Sequence, residues 1–61
     1  MLYALLASLC LYKGTITNID NNVITVYTDN GHIYDFYGDN YNINSDIILI
    51  MDDLGHIINV I

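Results

Sequence analysis

Cysteine and positive charge are nearly missing from this chain. Cys10 is the only cysteine, Lys13 is the only lysine, and there is neither arginine nor glutamate. A single thiol excludes an intrachain disulfide. No cluster of Cys and His has zinc-finger spacing, so no structural metal is expected. One lysine cannot neutralise the several phosphates that a duplex binder must contact, and an anionic membrane is an equally poor partner. Residues 1–12 are apolar but fall short of the ~20 needed to cross a bilayer. They have no basic start and no clear small-residue cleavage site. Ala7-Ser8-Leu9-Cys10 approaches a lipoprotein box, but bulky Leu9 stands where a small residue is wanted. The expected location is the cytoplasm.

What the chain does have is apolar side chains and aspartate. Hydrophobic residues make up 54% of its 61 positions, too many for a disordered segment. All acids are aspartates, at 20, 29, 35, 39, 46, 52 and 53, and the net charge is −6. A domain this short hides only about 60% of the surface its unfolded chain exposes. Small domains compensate with disulfides, metals or self-association, and only the last is open to this one. A homo-oligomer is expected.

Turn signals recur along the chain at β spacing. Asp20-Asn21-Asn22, Asp29-Asn30-Gly31 and Asp52-Asp53-Leu54-Gly55 separate runs rich in Ile, Val, Thr and Tyr. Asn-Gly is a strong hairpin signal, because a type I′ turn requires positive φ at both central residues. The intervening runs read as strands over 11–19, 23–28, 32–37, 47–51 and 56–61. Five short strands in one domain predict an all-β fold, either a small barrel or a curled meander. An SH3-like barrel comes first. An OB-like barrel comes second, since residues 38–45 are too few and too polar for that fold's usual helix. Before the strands, Leu2, Leu5, Leu6 and Leu9 follow the helical period, which favours a short N-terminal helix over an extension of the first strand.

The last hairpin is apolar on both sides. Ile47, Ile48, Leu49, Ile50 and Met51 run without a polar break, and Ile57, Ile58, Val60 and Ile61 nearly so. Continuous apolar strands are covered on two faces. Either the N-terminal leucines or a second subunit must lie over this hairpin, with Ile48, Ile50, Ile58 and Val60 as the expected oligomer interface. Leaving such side chains wet would forfeit roughly 1.5–3 kcal/mol each.

Tyrosine is the residue type most suggestive of recognition. A two-residue Asn30-Gly31 turn would set Tyr27 directly across from Tyr34, on the face that carries Phe36, with Tyr37 and Tyr41 beside the following loop. Such a group can anchor a protein interface or stack on a base. It can equally be a set of half-buried strand residues stabilising the sheet. The loop over 40–46 places oxygen side chains at alternate positions, as a calcium loop begins, but Ser45 and Met51 replace the turn glycine and the bidentate glutamate. His32 and His56 both occur in Gly-His-Ile after a turn, a faint internal echo of one hairpin design. Neither histidine has further ligands in sequence for a metal, and Cys10 lies in apolar surroundings where a thiol is usually inert. No phosphate loop or metal-protease signature is present, so no enzyme activity and no cofactor are expected.

The stretches Lys13-Gly14-Thr15-Ile16-Thr17-Asn18-Ile19-Asp20, Val23-Ile24-Thr25-Val26 and Asp29-Asn30-Gly31, with the later strand and acidic turn over 47–55, carry a resemblance. They resemble the short acidic β proteins of phages and prophages of Gram-positive bacteria, over residues 13–61. Ser45-Asp46 stands where many of those proteins have Gly-Asp. The resemblance implies an accessory protein acting in the host cytoplasm, many of whose kin counter host defence. The leading expectation is a binding protein that inhibits a host factor through a surface lined by aspartates and by Tyr27, Tyr34, Tyr37 and Tyr41. A second is an oligomeric sponge for a nucleotide-type ligand, its bases stacked on these tyrosines and its phosphate met by Lys13. A third is an assembly module of a phage particle.

Overall fold

The computed structural model describes residues 9–61. The expected N-terminal helix lies outside them except for Leu9. The described chain forms five strands: β1 Cys10–Asp20, β2 Val23–Thr28, β3 Ile33–Tyr37, β4 Asp46–Met51 and β5 Ile57–Val60. All pairings are antiparallel, and the strands lie in the order β3-β2-β1-β4-β5. The sheet curls into a half-barrel, the all-β architecture anticipated from the turn spacing. β1 is central, with β2 and β4 as neighbours. That succession is the one of an OB-type barrel, here without the helix and, among the described residues, without pairing between β3 and β5.

Local chemistry explains each reversal. Asn21 and Asn22 have φ of 51° and 67° and connect the paired residues Asp20 and Val23, a two-residue turn of type I′ sense. The Asn30-Gly31 turn is one residue longer than expected. Thr28 N–H donates to the His32 carbonyl and Gly31 N–H to the Thr28 carbonyl, so Asp29, Asn30 and Gly31 form a three-residue loop. Gly31 takes the positive φ that such a loop requires. β4 and β5 are joined in the same way. Asp52 N–H donates to His56 O and Gly55 N–H to Asp52 O, with Gly55 also at positive φ.

The extra residue has a large consequence. Tyr27 pairs with Ile33, and Val26 pairs with Tyr34. A one-residue slip exchanges the two faces of a strand. Tyr27 therefore does not face Tyr34: the two tyrosines lie on opposite sides of the sheet.

Ile16, Ile24, Val26, Ile47, Leu49 and Met51 form the buried core on the inner side of the curl. Tyr12, Ile19, Tyr34, Phe36, Tyr41, Ile57 and Val60 pack around it. Bulges at β1 between Ile16 and Asn18, and at β4–β5 opposite Ile50 and Met51, allow the strands to bend. Gly14 leaves no room for a side chain. A Cβ there would stand 2.5 Å from Val26 Cγ1 and 3.1 Å from the Tyr27 carbonyl oxygen. The loop over 38–45 closes one end: Asn44 N–H donates to Ile16 O, Ile16 N–H donates to Ser45 O, and the Tyr41 ring stands edge-on to Phe36. Its alternating asparagines serve backbone geometry, with Asn40 and Asn44 both at positive φ.

Candidate functional site

Alternation along the strands sorts the candidate residues into an inner and an outer set. Tyr34 and Tyr41 are inner residues. Tyr34 is half-buried and stacks on Tyr12 at a centroid separation of 6.4 Å, and His32 lies 6.1 Å from the same ring. Cys10, through charge interaction and as a hydrogen-bond partner, raises the Tyr12 phenol above its ordinary value of 10.0, with lesser contributions from burial and Tyr34. Tyr12, Tyr34 and Tyr41 are partly buried and pack against the core.

Tyr27 and Tyr37 are outer residues, 52% and 83% exposed. They occupy the convex face of the β2–β3 ribbon, in the pairs Tyr27–Ile33, Thr25–Asp35 and Val23–Tyr37. Asp35 thus lies midway between the two tyrosine rows. Asp29 follows β2 in the turn, Asp39 follows β3, and Asp20 ends β1 beside Val23. This wing combines aromatic rings with carboxylates, and its only basic side chain is His32.

The other wing is different. On its outer face β1, β4 and β5 align Leu11 with Ile50 and Asn59, and Lys13 with Ile48 and Ile61. The next row is Thr15 beside Asp46, whose Oδ1 accepts the Thr15 hydroxyl at 3.0 Å. Leu11, Ile48, Ile58 and Ile61 are exposed there. A shallow depression of about 380 Å³ is lined by Lys13, Asp46, Ile47, Ile48 and Ile61. Of the four residues expected at an oligomer interface, Ile48, Ile50 and Ile58 are not part of the buried core, but Val60 is misplaced. It pairs with Leu49 and packs inward against the core. The β4–β5 bulge shifts the alternation between Ile58 and Val60, which puts Val60 on the inner side.

The sequence does not mark Leu11 or Ile33 as surface residues, and it does not single out Asp35 and Asp46 from the other aspartates or Ile61 from the other isoleucines of the last hairpin. Period-two alternation from Lys13 already places Leu11 and Thr15 beside it, but the partners across the sheet follow only from the register.

The turns carry the remaining polar organisation. Asp52 Oδ1 accepts the backbone N–H of His56 at 2.8 Å and of Leu54 at 3.0 Å, and its Oδ2 meets His56 Nδ1 at 3.1 Å. The His56 amide, aided by its ring and the Leu54 amide, holds the Asp52 carboxyl below its ordinary 3.8 against the opposing effect of burial. In the equivalent position of the other hairpin Thr28 is buried, its hydroxyl shared between the Asn30 side-chain oxygen and the His32 carbonyl. Among the described residues no group of three His, Cys, Asp or Glu is placed to hold a metal ion, and no helix is long and apolar enough to cross a membrane. Compared with known proteins, the chain matches no family model, no curated protein and no solved structure.

Proposed function

We propose that this chain is a small acidic binding protein that occupies a basic surface of a partner protein through the outer face of its β2–β3 ribbon. One observation carries the reading: Tyr27 and Tyr37 project from that face with Asp35 between them, and Asp29 and Asp39 lie nearby in sequence. Tyrosine supplies large contact area at small entropic loss and is enriched among the residues that dominate interface energy. The net charge of −6 speeds encounter with a basic partner. The resemblance to phage and prophage proteins supplies the setting, inhibition of a host factor by stoichiometric binding in the host cytoplasm.

The test is capture from bacterial lysate with the wild-type chain, Asp35→Lys and Tyr37→Ala, followed by kinetics on the partner retained. Asp35→Lys should slow association and flatten its salt dependence. Tyr37→Ala should speed dissociation by about tenfold, the effect of roughly 1.4 kcal/mol at an interface anchor. A partner held equally well by all three chains would remove this face from the reading.

A second reading, sequestration of a nucleotide-type ligand, is favoured by the placement of Lys13 and Tyr27. Both point outward, and Tyr27 pairs with Thr15, two residues along β1 from Lys13. A base on Tyr27 and a phosphate at Lys13 would span adjacent strands. Thermal shifts across cyclic and linear nucleotides decide it: a rise with one class supports sequestration, and a flat response eliminates it.

A further inference from the structure

We infer that the outer face of β1, β4 and β5 is the contact surface of a homodimer in which Lys13 of each copy pairs with Asp46 of the other. Charge selects the occupant. Of the charged side chains, this face holds only Lys13 and Asp46; the other aspartates, at 20, 29, 35, 39, 52 and 53, lie on the β2–β3 wing or in turns and loops. A chain of net charge −6 repels its own copy across those regions, whereas the side chains of this face carry one charge of each sign among Leu11, Ile48, Ile50 and Ile61. A basic partner would be drawn to the opposite wing. A second copy is the occupant that gains from a face carrying one charge of each sign.

A two-fold contact requires a self-complementary patch, since residue i must meet j while j meets i. Lys13 pairs with Ile48, and Asp46 pairs with Thr15. Lys13 and Asp46 are therefore one strand apart and two residues along, about 8 Å on the sheet from standard strand spacings. An axis lying in the contact plane and bisecting that diagonal sets each Lys13 over the other copy's Asp46, twice. Ile48 and Ile61, joined by backbone hydrogen bonds of 3.0 and 2.9 Å, then fall near the axis against their own counterparts. The Thr15 hydroxyl already fixes the Asp46 carboxylate. Among the described residues the only ion pair is that of Asp52 with His56, so no described carboxylate pairs with the Lys13 ammonium. This contact uses the opposite wing from the proposed partner surface, and neither depends on the other.

The test is native mass spectrometry and sedimentation of the full chain, with circular dichroism to confirm folding. Wild type should be a dimer. Lys13→Asp alone and Asp46→Lys alone each create two like-charge contacts and should weaken association roughly a hundredfold or more. Mixed in equal amounts, the two variants should form a heterodimer, because each supplies the charge that the other lacks. Repair within one chain cannot produce that rescue. Ile61→Asp should give a folded monomer without touching either charged residue. A monomeric wild type, single variants that remain dimeric, a mixture that fails to associate, or a dimeric Ile61→Asp would each overturn the proposal.

Discussion

The β2–β3 ribbon and the β4–β5 hairpin share a turn and differ in almost everything the turn presents. Thr28 and Asp52 open the two loops, Gly31 and Gly55 take positive φ, and His32 and His56 close them. The pairs just inside are Tyr27–Ile33 and Met51–Ile57. In the first hairpin that pair faces outward, while in the second Met51 is buried in the core. One turn geometry, entered by strands of opposite facing, thus produces a tyrosine-and-aspartate surface on one wing and an isoleucine surface on the other. Turn chemistry sets how the chain reverses; which residues become surface depends on which face of each strand meets β1.

The largest break in this comparison comes from adjacent residues on β4. Leu49→Ala opens the inner core and should lower stability by about 2–5 kcal/mol. Ile48→Ala, one position away on the outer face, should leave the unfolding free energy of the isolated chain nearly unchanged. Denaturant titration of both at low concentration checks the pair. Equal losses would mean that Ile48 is as enclosed as Leu49, against its 38% exposure.

A smaller effect is expected where the wings join. Gly14→Ala drives a methyl group against Val26 Cγ1 and the Tyr27 backbone, so overpacking of about 1–3 kcal/mol is expected. Combined with Val26→Ala, the loss should be smaller than the sum of the two single losses, because the second change removes the nearest obstacle. An additive double variant would show that the crowding lies elsewhere.

The two turn glycines come next. Gly31→Ala and Gly55→Ala have open space around the new methyl group, so only backbone strain acts, at roughly 1 kcal/mol in each hairpin. Matching losses would confirm that the loops share one geometry, and melting temperatures of the two variants measure this directly.

The smallest effect separates the hairpins by pH. Asp52 binds a proton less readily in the folded chain than its ordinary value of 3.8 implies. Its contribution is therefore present above that value and is lost as pH falls through the depressed folded value. Thr28, at the same place in the other hairpin, has no titrating group. The protection factor of the His56 amide, corrected for the intrinsic pH dependence of exchange, should fall on acidification while that at the Thr28 turn is less affected, and Asp52→Asn should remove the difference. Equal acid sensitivity in both turns would assign the effect to another carboxylate.

Much of the fold was legible because β structure leaves local marks. Positive-φ asparagines and glycines punctuate the chain, and between them the Ile, Val and Thr runs have strand length and strand composition. Even the repeated Gly-His-Ile identified two copies of one turn. The site was less legible. Tyr27 and Tyr34 were placed together by assuming a two-residue turn at Asn30-Gly31, whereas that geometry belongs to Asn21-Asn22. Both turns have residues that accept positive φ; the three-residue loop is closed by Thr28 bonding to Asn30 and His32, as the second one is by Asp52 bonding to Leu54 and His56.

By itself, the amino-acid order determined that this is an acidic all-β chain, where it reverses, and that its last hairpin is apolar on both sides. These follow from backbone preferences and side-chain chemistry within a few residues. The tertiary structure decided that β4 lies against β1, that Val60 points inward, and that Lys13 lies diagonal to Asp46. Those relations join residues far apart in the chain, and a register change of one residue would reverse which face each side chain occupies.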